Sequence, residues 1–163
     1  MKRIYSRKLS KNILEISSGL LLFLFIYTTV SKLINLNTYV EEMNNQPFPI
    51  WLKPIMWRSV LIVEMGICIL LVFRTTRTIG LHFAASMLFL FVLYTVAILL
   101  GMFNRIPCGC GGIIRQLNWR QHLTFNLFFL IVALIGIWSA KRSIKFKFMR
   151  ITEEAENLKK SRH

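Results

Sequence analysis

The residues here best suited to chemistry are two cysteines spaced by one glycine, in the run Pro107-Cys108-Gly109-Cys110-Gly111-Gly112. A disulfide needs its Cα atoms about 4.4–6.8 Å apart, which a Cys-x-Cys pair meets only near the outer limit, and Gly109 has no Cβ to resist the backbone angles required. A bridge between them is therefore feasible but strained. Strain raises the reduction potential, which suits a disulfide that is broken and remade rather than one that staples a fold. The glycines beside the pair let a partner's backbone or thiol approach closely. Two other readings stay open. One is a permanent bridge, although so short a closure restricts little chain entropy. The other is a soft-metal site with His122 as third ligand, although Cys-x-Cys is not a usual zinc spacing and no second cluster supplies a fourth ligand. Three cysteines cannot all pair within one chain, and Cys68, inside an apolar block, reads as a small core residue.

Four polar residues in otherwise apolar stretches are the second candidates, because a charge in hydrocarbon is costly unless paired or hydrated. Lys32 lies four residues from the end of one apolar block and Glu64 nine residues from the start of the next. At 1.5 Å per residue they sit roughly 6 Å and 13 Å below one membrane face. The long lysine stem extends its reach, so the two can meet, either as an ion pair that only locks two helices or as part of a working site. His122 and Asn126, at i and i+4, share one helix face just beneath the same surface; His122 reads equally as an interfacial anchor. His82 falls near the opposite surface and reads as interfacial. Phe89, Phe91, Phe125, Phe128 and Phe129 face lipid, pack, or line a slot for a flat ring such as a quinone, and the sequence leaves that choice open.

The elements that must position these residues follow from composition. The chain has 163 residues, 55% hydrophobic and only 17% charged, too apolar for a soluble domain of this size. Twenty-one Lys and Arg against seven Glu and no Asp give a net charge of +14. On a soluble protein this would suggest nucleic acid; between long apolar blocks it reports membrane topology, and no nucleic-acid partner is expected. Disorder, a coiled coil and a disulfide-stapled secreted domain are excluded. Four blocks, 14–36, 55–73, 79–103 and 123–139, can each cross a hydrocarbon core of about 30 Å, the last with help from its flanks. Their continuous apolarity excludes a β-barrel. The expected fold is an all-α integral membrane protein, a bundle of four transmembrane helices.

Orientation follows from the basic residues. Lys2, Arg3, Arg7, Lys8 and Lys11, then Arg74 and Arg77, then the eight Lys and Arg from Lys141 to Arg162 place 15 of 21 on one side, so both termini are expected to be cytoplasmic. The first apolar stretch is long and lacks a small-x-small cleavage site, so it is expected to be retained. The external first loop, 37–54, holds Pro47, Pro49 and Pro54 with Trp51 and Trp57, and is expected to lie on the membrane surface as a short cap. The organisation expected is a basic cytoplasmic N-terminus over 1–13, a transmembrane domain over 14–139 and a basic cytoplasmic tail over 140–163 held near anionic membrane lipid.

Ser31-Lys32-Leu33 closing the first helix, Glu64-Met65-Gly66 in the second, Cys108-Gly109-Cys110-Gly111-Gly112 after the third and Asn126 in the fourth resemble the MauE family of redox-associated membrane proteins, relatives of DoxX. The resemblance covers about 14–137, and the glycine-spaced cysteines are its specific part. It implies a multi-pass protein of the bacterial inner membrane that handles thiols with a periplasmic thioredoxin-like partner. MauE is linked to methylamine utilisation, where a disulfide-rich dehydrogenase subunit is matured; nothing in this sequence points to methylamine, and that substrate is not carried over. Gly111 stands where relatives commonly have an aromatic residue.

The function expected is thiol-disulfide exchange through Cys108 and Cys110, forming a redox-active disulfide and passing electrons to or from a membrane carrier such as a quinone. Arg105, Arg115, Arg120 and His122 supply positive charge that favours the attacking thiolate. Lys32, Glu64, His122 and Asn126 would shape or protonate the carrier pocket. The rivals are a non-enzymatic assembly factor with a structural Cys-Gly-Cys loop and a soft-metal transport subunit.

Overall fold

The computed structural model describes residues 2–102 and 118–160. Among these described residues five helices follow one another: α1 Lys2–Ile34, α2 Leu36–Asn44, α3 Lys53–Val72, α4 Arg77–Leu99 and α5 Trp119–Lys160. Four contain stretches long and apolar enough to cross a membrane: Lys8–Ile34, Lys53–Val72, Arg77–Leu99 and Trp119–Lys145. These are the four expected spans with shifted ends. α1 and α5 run without a break into the basic ends of the chain.

Two further features depart from the sequence reading. The first loop does not merely cap the surface, because Leu36, Tyr39, Val40 and Met43 recur with helical spacing and form α2 before Pro47 stops it. α2 buries Tyr39, Glu42 and Met43 and packs on α3 and α1. The third apolar block ends at Leu99 rather than at Phe103. Gly101, at φ +69°, takes the left-handed conformation. Its N–H donates to the Ile98 carbonyl at 3.0 Å and that of Met102 to Ala97 at 3.1 Å, a Schellman closure that glycine adopts without a Cβ penalty. α3 instead begins with Pro54 in its first turn, where the missing N–H leaves no bond unmade.

The four spans pack in the cyclic order α1, α3, α4, α5. Leu21, Phe25, Ile67, Leu71, Leu81, Ala84 and Ala133 fill the centre. Phe23, Ile62 and Leu90 are 72%, 68% and 64% exposed, an arrangement water would penalise and hydrocarbon does not. The first and last spans are stitched by reciprocal bonds. The Ser10 hydroxyl donates to the Ser139 carbonyl at 3.0 Å and the Ser139 hydroxyl returns one to the Ser10 carbonyl.

Gly80 lets α4 approach the α3 backbone closely. A Cβ there would lie 3.0 Å from the Leu70 Cβ and 3.1 Å from backbone atoms of Leu70 and Leu71, and a helix backbone cannot swing aside. Gly80→Leu is expected to lower bundle stability by about 3 kcal/mol, the upper part of the overpacking range. Gly66→Leu, with nothing within 4 Å of its Cβ position, should be neutral or slightly stabilising through helix propensity. Unfolding midpoints of both variants in one detergent check the contrast.

Candidate functional site

A cavity of about 490 Å³ lies inside the bundle at the end where α1 finishes and α3 begins. All four spans and the chain just after α2 line it. Most of the wall is apolar, with Leu24, Phe25, Met43, Val60, Met87, Phe91 and Phe125 among its residues. The polar residues in it include Lys32, Glu64, His122 and Asn126, the four singled out as a possible carrier pocket. They come from three helices that are far apart in the sequence, with only His122 and Asn126 on the same one.

Lys32 and Glu64 meet as a buried ion pair across α1 and α3. Glu64 is 2% exposed and also accepts a bond from the Thr29 hydroxyl at 3.4 Å. The Lys32 ammonium lies 5.5 Å from the centre of the Tyr39 ring, which gives it a second favourable neighbour from α2. The pair is thus supported by three helices.

On α5, His122 and Asn126 are less well satisfied. The Asn126 Nδ2 and the His122 Nδ1 are both buried with no hydrogen-bond partner among the described residues, and Asn126 as a whole is 5% exposed. Trp119 stands edge-on to the His122 ring, with centroids 6.3 Å apart. Each unmet donor or acceptor costs about 1–3 kcal/mol. A cavity wall that keeps two is suited to a ligand that supplies the missing atoms.

The chain after α2 covers the loop end of the cavity. Phe48 stacks on Tyr94 with centroids 5.8 Å apart and planes 27° from parallel, and the Tyr94 hydroxyl donates to the Gln46 side-chain carbonyl. The Gln46 amide donates to the Glu42 carbonyl at 3.3 Å, and the Tyr39 hydroxyl donates to the Trp57 carbonyl at 3.2 Å. Gln46, Phe48 and Tyr94 are wall residues that the sequence reading missed. The period of Leu36, Tyr39, Val40 and Met43 is the sequence signal that would have brought α2 over the site.

The phenylalanines divide. Phe91 and Phe125 line the cavity, Phe129 packs on Phe125 at 4.8 Å, and Phe89 and Phe128 are half exposed on the outer surface. Cys68 is a free thiol packed at the edge of the core, four residues before the end of α3. His82 is exposed, its Nδ1 2.7 Å from the Thr78 carbonyl. Cys108 and Cys110, with Arg105 and Arg115, lie outside the described residues. The segment that carries them joins the end of α4 to the start of α5, and Tyr94, Trp119 and His122, near those ends, belong to the cavity wall.

A family model described as methylamine utilisation protein MauE matches residues 10–139. No curated protein and no solved structure matches the chain.

Proposed function

The chain belongs to the MauE family, and from that membership we propose that it is a thiol-disulfide redox protein of the bacterial inner membrane. In this reading it relays electrons between a periplasmic thioredoxin-like protein and a quinone dissolved in the bilayer, and so supports maturation of extracytoplasmic proteins. The observation that carries the proposal is the pair of unpartnered polar atoms, on His122 and Asn126, in an otherwise largely apolar cavity.

The exchange begins when a thiolate of the partner attacks the Cys108-Cys110 disulfide. That bond breaks, a mixed disulfide forms and one cysteine leaves as thiolate. The partner's second thiolate then displaces the remaining cysteine, so the partner departs oxidised and the pair is left as a dithiol. Reoxidation releases two electrons and two protons, which a quinone accepts to become a quinol. The reverse direction has the same stoichiometry. Asn126 Nδ2 offers a donor to a carbonyl oxygen, and His122 Nδ1 donates or accepts according to tautomer. Lys32 and Glu64 hold charge at the same end of the cavity, where a proton is taken up or given away. The family name concerns methylamine utilisation; the reading uses its thiol chemistry and not the amine.

Cys108→Ser and Cys110→Ser variants, made in cells that contain the partner, test this reading. Neither variant can form the internal disulfide, and both are expected to insert normally; the one that keeps the attacking cysteine is expected to trap a mixed disulfide by attacking the disulfide of an oxidised partner, and the other to form none. The partner's redox state, read by an alkylation mass shift, is expected to change in both. An unchanged partner in both variants, with extracytoplasmic clients still maturing, would instead make the cysteines a structural loop.

A further inference from the structure

The cavity wall differs between its loop end and its α3-α4 side. At the loop end Met43, Gln46 and Phe48 cover it, held by the stacked ring and hydroxyl bond of Tyr94. Between α3 and α4 the wall is incomplete. Ser59 and Val63 on α3, and Phe83, Ser86 and Leu90 on α4, line the cavity and are also exposed on the outside of the bundle. The contributions of α1 and α5 contrast with this: Leu24, Phe25, Lys32 and Asn126 are buried, and the others, such as Thr28 and Phe125, are half-buried rather than exposed. The α3-α4 pair is pinned at its turn by the close approach of Gly80 to Leu70 and Leu71. The open seam lies beyond that point, along the part of both helices that spans the bilayer.

We propose that this seam is the entry route of a long-tailed quinone from the membrane, and that its hydrocarbon tail lies between α3 and α4 while its ring is held against His122 and Asn126. The inference rests on the reading of the cavity as a carrier site, and it makes no use of the cysteines. Several observations favour such a ligand over a water-soluble one. The seam is lined mainly by apolar side chains, which suits a tail as well as it suits lipid. A volume of about 490 Å³ is in the range that holds a ring with part of a tail. The ring end is marked by the unpartnered Asn126 Nδ2, nine-tenths buried in the opposite wall. Ser59 and Ser86 sit in the opening, where their small size keeps it wide.

The test compares two probes on the full-length protein in lipid nanodiscs: a benzoquinone with an isoprenoid tail and the same ring without a tail. Affinity is read from quenching of tryptophan fluorescence, to which Trp119 in the cavity wall contributes. Ser86→Phe and, separately, Ser59→Phe narrow the seam from exposed positions. Each is expected to weaken the tailed probe at least tenfold while leaving the tailless ring within twofold. A tailed quinone with a photoreactive group at the end of its tail is expected to label α3 and α4 peptides rather than those of α1 or α5. Equal weakening of both probes, no weakening of either, or labelling of α1 and α5 instead would overturn the route. So would equal affinity of both probes for the unaltered protein, the result expected if a phospholipid acyl chain fills the seam. Asn126→Leu separates the route from the carrier site, because it is expected to weaken both probes. If it does so while the serine variants have no effect, only the route fails. If it leaves both probes unchanged, the carrier site itself fails.

Discussion

Replacing Lys32 by methionine while Glu64 remains is expected to destabilise the bundle by about 3–5 kcal/mol, the range for stranding one member of a buried ion pair. Glu64 is 2% exposed, and after the change its neighbouring donor is the Thr29 hydroxyl at 3.4 Å, too weak to hold a carboxylate in hydrocarbon. Glu64→Leu should be milder. The freed lysine has a long stem, sits in the last turn of α1 and can carry its ammonium toward the interface. The double variant K32M/E64L is expected to recover most of the lost stability, since apolar groups of similar volume replace a buried pair at little or no cost. Carrier reduction should stay low in it. Unfolding midpoints and turnover measured on the three variants separate these effects. Recovery of both stability and turnover in the double variant would reduce the pair to a lock between helices.

Asn126→Leu is expected to move stability and function in opposite directions. The Asn126 Nδ2 has no hydrogen-bond partner among the described residues, so removing it relieves an unmet polar group and should raise stability by about 1–2 kcal/mol. If the same atom binds the carrier, carrier turnover should fall about tenfold, the loss of one hydrogen bond of that strength. Thiol exchange between the partner and the cysteine pair should be unaffected in a single turnover without quinone. A destabilised Asn126→Leu protein would show that the side chain is structural, and unchanged turnover would remove it from the site.

The four spans were legible because crossing a bilayer is a local property of length and hydropathy, and each block carries both. The polar cluster was legible for a related reason: a lysine, a glutamate and an asparagine in apolar runs have few explanations other than a partner or a site. The division of the phenylalanines was not. α4 is apolar on every side, so its sequence carries no signal for which face turns inward. Phe89 and Phe91 are separated only by the packing of their helix against α3 and α5. α2 was hidden for a different reason. The prolines at 47, 49 and 54 point toward an irregular loop, although they constrain only the chain beyond Gln46 and leave the preceding helical period intact. The end of α4 turned on the conformation of one residue, Gly101, within a run of hydrophobic neighbours.

The serine stitch between Ser10 and Ser139 joins positions separated by 129 residues, which bears on the order in which the protein is made. Synthesis releases α1 first and α5 last, yet α1 has α5 as one of its two main neighbours. Until α5 is inserted, the face of α1 that carries Ser10 and Ser17 has no final partner; Ser17 lies beside Gly136 in the finished bundle. Chains that stall before the last span therefore present a polar seam to lipid or to whatever holds them during insertion. The bundle closes only when its first and last spans come together.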